Sequence, residues 1–442
     1  MEDSFFILLF FSYICCAKNN HERVETRIEE KMYNIYFFVI LAIVVLSFIW
    51  RQILSYLDRK QMNLAIPEKL KGIYHPEEYA KQQAYQKESS RFGLVSGSFS
   101  FIVVLVILSA GLLGWLDEFL RGYSSHYIFL PLLFFGIIWI VNELIDFPFD
   151  WYATFTIEEK FGFNKSTPKL FIIDWFKEIL LTLALGGIIL IGIIIIYHYT
   201  GEWFWLLAWL LVSGISLLMS LFYSEWIVPL FNRQTPLEAG SLRDAIESLA
   251  QKAGFGLKNI YMIDGSKRST KANAYFAGMG KKKRIVLYDT LIQELETDEI
   301  VAVLAHEIGH YKKKHVVYSM LQAVISTGIS FYILSLFLES QALAEALGGS
   351  IPSFHLGVVG FSFLFIPISE LSSLLFQAAS RKNEYEADAY AARLGLGKAL
   401  ISGLKKLSVK SLNNLNPHPW VVFWHYSHPT LLQRIESVEK FL

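Results

Sequence analysis

The sequence predicts a mainly α-helical protein that crosses a membrane seven times and carries a polar domain with a small β-hairpin or sheet on one side. Three observations lead there. Only 18% of the 442 residues are charged, while 53% are hydrophobic and 15% aromatic; soluble proteins carry about 25% charge. Long apolar runs recur along the chain, each near the ~20 residues a membrane helix needs. A long polar stretch, 232–315, separates the fifth run from the sixth. Basic and acidic residues balance at 40 each, so nothing in the charge points to nucleic acid.

Residues 1–31 form an N-terminal extension with no assigned role: FFILLFFSYICCA (5–17) is short for a span, and Glu2 and Asp3 precede it where a signal peptide wants positive charge. The first span is 33–50, uncharged throughout. Residues 51–97 are polar and basic, and EEYAKQQAYQKESSRFG reads as an amphipathic helix. Further spans are expected at about 98–116 and 127–145, then at 179–199 and 203–223, the last opened by Trp203, Trp205 and Trp209 as an interfacial belt. The sixth and seventh cover about 316–338 and 355–377, and a polar helical tail fills 378–442. Five spans thus lie in 33–231 and two in 316–377. Glu143, Asp146, Glu225 and Glu370 sit at or within spans, so they should face the bundle interior or water rather than lipid.

Lys and Arg gather in loops 51–97, 146–178 and 232–315 and in the tail, whereas 117–126 holds only Arg121 and both 200–202 and 339–354 hold none. With seven spans, this asymmetry puts the N-terminus outside and the polar domain and tail on the cytoplasmic side.

Within the polar domain, SLRDAIESLAQKAGF reads as an amphipathic helix and IYMID (260–264) as a strand. KANAYFAGMGKKKRIVLYD (271–289) reads as a hairpin, with strands ANAYFAG and RIVLYD and a turn near Gly278–Gly280. Such an exposed edge strand can pair with an extended peptide. Thr297 is placed as the cap of a helix, TDEIVAVLAHEIGH, that contains H-E-x-x-H at His306, Glu307 and His310. Positions i and i+4 share a helix face, so both imidazoles can hold one zinc ion. Glu307, about 100° round the helix, stands near the metal without ligating it, where the general base of a metalloprotease belongs. Cysteine cannot contribute: the two in the chain, Cys15 and Cys16, are adjacent and remote.

A catalytic zinc wants a third protein ligand. RKNEYEADAYAARLG (381–395) is helical by composition, with Glu384 and Asp388 on one face and Glu386 pointing about 200° away from Glu384. Glu384 is the expected ligand and Asp388 the acceptor that orients a ligating imidazole. His425 and His428, with Arg434, follow in WHYSHPTLLQRIESV; by themselves they read equally as ligands, oxyanion donors or structural groups before a proline turn. His315, behind three lysines, reads as interfacial.

These blocks together resemble the type I CAAX prenyl proteases, integral-membrane zinc metalloendopeptidases. The likeness covers nearly all of 33–442 and rests on HEIGH, the ExxxD pair Glu384–Asp388, ANAYF (272–276), TFTIEEKFGFN (154–164), KRIVLYDTL (283–291) and HYSHPTLLQR (425–434). The resemblance implies a seven-helix barrel around a water-filled intramembrane chamber, lined by a gluzincin-like domain. It implies one Zn²⁺ held by His306, His310 and Glu384, with Glu307 as base. Asn273 matches a position that contacts the substrate backbone, Tyr275 lies in the same strand, and His428 and Arg434 match an active-site histidine and arginine that support the transition state. The implied substrate is a protein lipidated at a C-terminal Cys-a-a-X, from which the last three residues are removed. A monomer embedded in lipid is expected, in the endoplasmic reticulum and inner nuclear membrane of a eukaryote or the cytoplasmic (inner) membrane of a bacterium. Residues 1–31 have no counterpart in the pattern, and loop 339–354 is short.

Competing expectations are a general membrane quality-control metalloprotease, which shares HExxH and ExxxD but lacks TFTIEEKFGFN; a di-iron lipid hydroxylase, which needs about eight histidines in several boxes; and a transporter or inactive scaffold, against which an intact Glu307 argues.

Overall fold

The computed structural model describes residues 31–62, 66–256, 259–277 and 284–442. The expected N-terminal extension, bar its last residues, and the hairpin turn at 278–280 lie outside them. Helix α1 spans Ile35–Gln61, its first turn closed by Asn34, whose side chain accepts from the backbone N–H of Tyr36 and Phe37. Helix α2, Pro76–Ser109, fuses the expected amphipathic helix with the second apolar run in one rod. After α3 (Leu112–Arg121), α4 runs Phe129–Tyr152, past the expected end of its span. Helices α5 (Pro168–Thr200) and α6 (Phe204–Trp226) follow, parted only by a tight turn at Gly201–Trp203.

Six helical stretches among the described residues are long and apolar enough to cross a membrane, against the seven expected. The difference lies in Pro168–Phe231, a single 64-residue stretch that contains both α5 and α6. Bulky apolar side chains such as Leu180, Ile188 and Leu375 stand largely exposed on these helices; apolar surface on that scale suits lipid rather than water. Of the span carboxylates, Glu143 accepts from Trp175 Nε1 at 3.2 Å, and Glu225 pairs with Arg284 of the sheet.

The polar domain is built around a sheet of strands β1 (Gln234–Pro236), β2 (Asn259–Ile263), β3 (Ala274–Ala277) and β4 (Arg284–Tyr288), in the order β1-β2-β4-β3. The expected hairpin is the antiparallel β3–β4 pair, Tyr275 opposite Val286. Strand β2 pairs with β4 in parallel, and the short β1, absent from the sequence expectation, closes the other edge antiparallel to β2. Three residues are too few for alternation to show. Helices α7 (Ser241–Lys252), α8 (Asp289–Glu294) and α9 (Thr297–Lys312) pack with the sheet: Ile246, Ile260, Ile285, Leu287, Leu291, Ile300, Leu304 and Ile308 share one core.

Helix α10 (His315–Ser335) is the next membrane candidate, and α11 (Gln341–Ala346) caps the return. Helix α12, Phe354–Ala391, is 38 residues long, about 57 Å at 1.5 Å per residue. A hydrocarbon core is only ~30 Å thick, so the expected seventh span and the expected tail helix are two halves of one rod. Helices α13 (Gly397–Lys410), α14 (Pro419–His425) and α15 (Leu431–Glu439) complete the chain, and Leu400 of α13 and Val438 of α15 join the core under α9.

Candidate active site

Helix α9 begins with a reciprocal cap. The Glu296 side chain accepts from the N–H of Glu299, and the Glu299 side chain accepts from the N–H of Glu296. Glu296, not Thr297, is therefore the capping residue; Thr297 is the first helical one. Ile300, Leu304 and Ile308 bury one face of α9 in the domain core. His306 and His310 occupy the face turned to α12, and Gly309 lets the two helices touch: a Cβ there would stand 3.0 Å from Ala387 Cα and 3.1 Å from Tyr390 Cβ.

Across that contact α12 presents Glu384 and Asp388, one turn apart and both buried. Glu384 Oε1 lies 3.2 Å from His310 Nε2, and its Oε2 lies 3.5 Å from His306 Nε2. The two Nε2 atoms are 3.1 Å apart. One ligand atom each from His306, His310 and Glu384 falls within 4.8 Å of the others. Glu384 Oε2 is buried and makes no hydrogen bond, with the Arg434 guanidinium 3.5 Å away. Two imidazole nitrogens and a carboxylate oxygen form a donor set that suits zinc.

The flanking groups are ordered around this trio. His306 Nδ1 donates to Asp388 Oδ1 at 2.8 Å. Arg434, from α15, donates to both Asp388 oxygens, from Nη2 at 2.6 Å and Nε at 2.9 Å, and its Nη1 stands 3.5 Å from Glu384 Oε2. His428 Nε2 reaches to 3.4 Å from Glu384 Oε1, yet 61% of the His428 side chain is exposed. Glu307 follows His306 on α9 and is only partly buried by its surface area. Burial pushes its carboxyl above the usual range, against the opposing pull of the adjacent His306 and His310.

Asn273 and Tyr275 come instead from the sheet. They flank Ala274 at the start of edge strand β3 and line a cavity of about 1000 Å³ whose walls include Asp150, Glu178, Trp175 and Tyr288. Tyr275 shares a hydrogen bond of 3.3 Å with Ser224 of α6, joining strand to membrane helix. His425 is exposed at the end of α14. His315, expected at the membrane edge, is 5% exposed and lies against His310. Nothing in the spacing of His315 could have shown this, because it depends on a chain reversal between α9 and α10.

The chain matches two family models in succession. The CAAX prenyl protease N-terminal model, described as five membrane helices, covers residues 55–233, and the model of peptidase family M48 covers 236–442. It is 36% identical over 413 residues to a CAAX prenyl protease 1 homolog of Oryza sativa subsp. japonica, spanning 91% of this chain and 97% of that protein. It is 32% identical over 430 residues to CAAX prenyl protease 1 of Saccharomyces cerevisiae, spanning 91% of this chain and 94% of the yeast protein. The crystal structure of S. mikatae Ste24p superposes with a TM-score of 0.88 at 32% identity, covering 92% of this chain and 99% of that one. With its paired histidines and buried glutamate, the chain belongs to peptidase family M48, as a multi-pass membrane metalloprotease of the CAAX prenyl protease 1 family.

Proposed function

We propose that the protein is a zinc-dependent endopeptidase that removes the C-terminal tripeptide from prenylated CAAX proteins. The observation that carries this is the convergence of His306, His310 and Glu384, from two helices, with one Glu384 oxygen buried and without a hydrogen bond. These three hold the zinc. Bound there, zinc supplies Lewis acidity that brings the pKa of a water to about 7.

The remaining work falls to the chain. Glu307 takes the proton of the attacking water and passes it to the leaving amine. His428, the exposed member of the cluster, donates to the scissile carbonyl oxygen as it gains charge. Asp388 fixes the His306 ring, and Arg434, committed by three nitrogens to Asp388 and Glu384, supports the transition state mainly by locking those carboxylates. Strand β3 offers its free edge to an extended peptide, with Asn273 at the entry to that edge and Tyr275 beside it.

In this reading α5 and α6 cross the membrane separately, giving seven crossings: five in 33–231 and two in 316–377. The basic loops then place the metal site, 232–315 and 378–442 on the cytoplasmic side. The acidic and aromatic cavity beside β3 is part of a chamber where peptide and lipid can be held together.

The test is cleavage of matched prenylated and unprenylated CAAX peptides by the purified full chain, with and without chelator. Preferential cleavage of the prenylated peptide before the last three residues, lost with chelator and restored by zinc, is expected. Equal cleavage of unlipidated membrane-protein fragments would instead favour a general quality-control protease.

A further inference from the structure

The turn that ends α9 does more than connect it to α10. Helix α9 closes at Lys312, Lys313 caps it, and Lys314 adopts φ 60°, ψ 26°. That left-handed conformation is uncommon outside glycine; among the described residues only Leu412 shares it without being glycine. Had α9 simply continued, His315 would lie about 140° round the helix from His310. The reversal at Lys314 brings it back instead, and His315 Nδ1 comes to 3.0 Å from His310 Nδ1. On its other side His315 Nε2 stands 3.4 Å from Glu386 Oε2.

Proton placement on these rings is determined by what His310 must do. A neutral imidazole has one N–H and one lone pair. If His310 gives its Nε2 lone pair to a metal, its proton is on Nδ1 and is donated to His315 Nδ1. His315 must then accept there, which puts its own proton on Nε2, facing the Glu386 carboxylate. The opposite arrangement protonates His310 Nε2, the atom that faces His306 and Glu384, and leaves no lone pair for the metal. Glu386, which helical periodicity turns away from Glu384, is thus engaged on the far side of the same cluster.

We infer that His315 is a positioning residue for the metal site: it holds His310 in the ligating tautomer and ring orientation, as Asp388 holds His306, and Glu386 holds His315 in turn. The two imidazole ligands are supported by different chemistry. His306 leans on a buried carboxylate clamped by Arg434. His310 leans on a neutral ring that relays to Glu386, whose side chain is 37% exposed and lies 3.9 Å from Lys382. The inference rests on the reading of His310 as a metal ligand.

The experiment measures zinc affinity of the purified full chain by competition with a chelator of known affinity, with cobalt(II) absorption as a spectroscopic check on geometry. Variants are His315→Leu, His315→Asn, Glu386→Gln and His310→Ala. Loss of a partner to a ligating histidine typically costs 10–100-fold in metal affinity, and that loss is expected for His315→Leu, with an altered cobalt spectrum. His315→Asn, whose amide oxygen can accept near the Nδ1 position, should recover most of it. Glu386→Gln, at a partly exposed position, should weaken zinc several-fold with no change in thermal stability of the metal-free protein. Unchanged zinc affinity in both His315→Leu and Glu386→Gln overturns the inference, as does an Asn variant no better than Leu. His310→Ala separates the two levels: if it keeps zinc, the ligand reading itself fails, whereas loss there with no effect at His315 removes only the positioning role.

Discussion

His306 Nδ1 lies 2.8 Å from Asp388 Oδ1 although 82 residues separate them in the chain. The bond places a carboxylate from the far end of α12 behind an imidazole of α9, and Arg434 secures it from α15. Asp388 is fully buried, so nothing in solvent can replace it. Asp388→Asn should therefore weaken zinc binding by about 10–100-fold, read by chelator competition; an unchanged affinity would show that His306 needs no such support.

Glu307→Gln keeps shape and removes the proposed base. The expected result is a 10²–10⁴-fold fall in kcat with a full zinc complement by metal analysis. Substantial peptidase activity in the zinc-loaded variant would sink the proposed role. The wild-type pH profile carries a second check. A base acts only when deprotonated, and burial raises the Glu307 carboxyl. The rate constant kcat/KM should thus rise with pH along an acid limb that the Glu307→Gln variant lacks.

His428 is the cluster member with an open side, at 61% exposure and 3.4 Å from Glu384 Oε1. Replacing it with alanine should lower kcat by about 10²–10³, with KM and zinc content little changed. Loss of zinc instead would make His428 a ligand, an option that the sequence by itself leaves open.

Gly309 sets the distance between α9 and α12. A methyl group there meets Ala387 and Tyr390 backbone or Cβ atoms at 3.0–3.2 Å, so the helices must part by a few tenths of an ångström. Gly309→Ala should cost about 1–3 kcal/mol of stability and weaken zinc as well, since His310 and Glu384 ride on opposite helices. A melting temperature and zinc affinity both equal to wild type would contradict this.

Glu299, buried near the start of α9, accepts from Ser402 Oγ at 2.6 Å and Lys406 Nζ at 2.8 Å on α13. Burial alone would raise its carboxyl, but these bonds win and lower it. A depressed folded pKa means stability that is present above the unfolded value and lost as pH falls through the folded one. Lys406→Met should cost on the order of 1–3 kcal/mol at neutral pH and flatten the decline of melting temperature below about pH 4.3. A parallel acid decline in wild type and variant would refute the linkage.

Much of this was legible in the residues. Apolar runs mark membrane helices because lipid demands about 20 uninterrupted residues, and five of the seven expected runs fall on separate candidate spans, while the other two share Pro168–Phe231. H-E-x-x-H and E-x-x-x-D each work within a single helix, where spacing dictates which groups share a face. The β3–β4 hairpin was legible from two β-type runs flanking a glycine turn, whereas β1, at three residues, was too short to show a pattern.

What the sequence by itself determined, then, is what depends on local period and composition: membrane helices, a zinc-type histidine pair, and a glutamate and aspartate on one helical face. What only the tertiary structure decided depends on where helices meet. That α12 is one rod carrying both a membrane segment and Glu384, that Gly309 lets it touch α9, that Arg434 is spent on Asp388, and that a left-handed Lys314 turns His315 onto His310 are all consequences of packing between distant segments. Spacing along the chain cannot encode such contacts, because a single non-helical residue redirects everything after it.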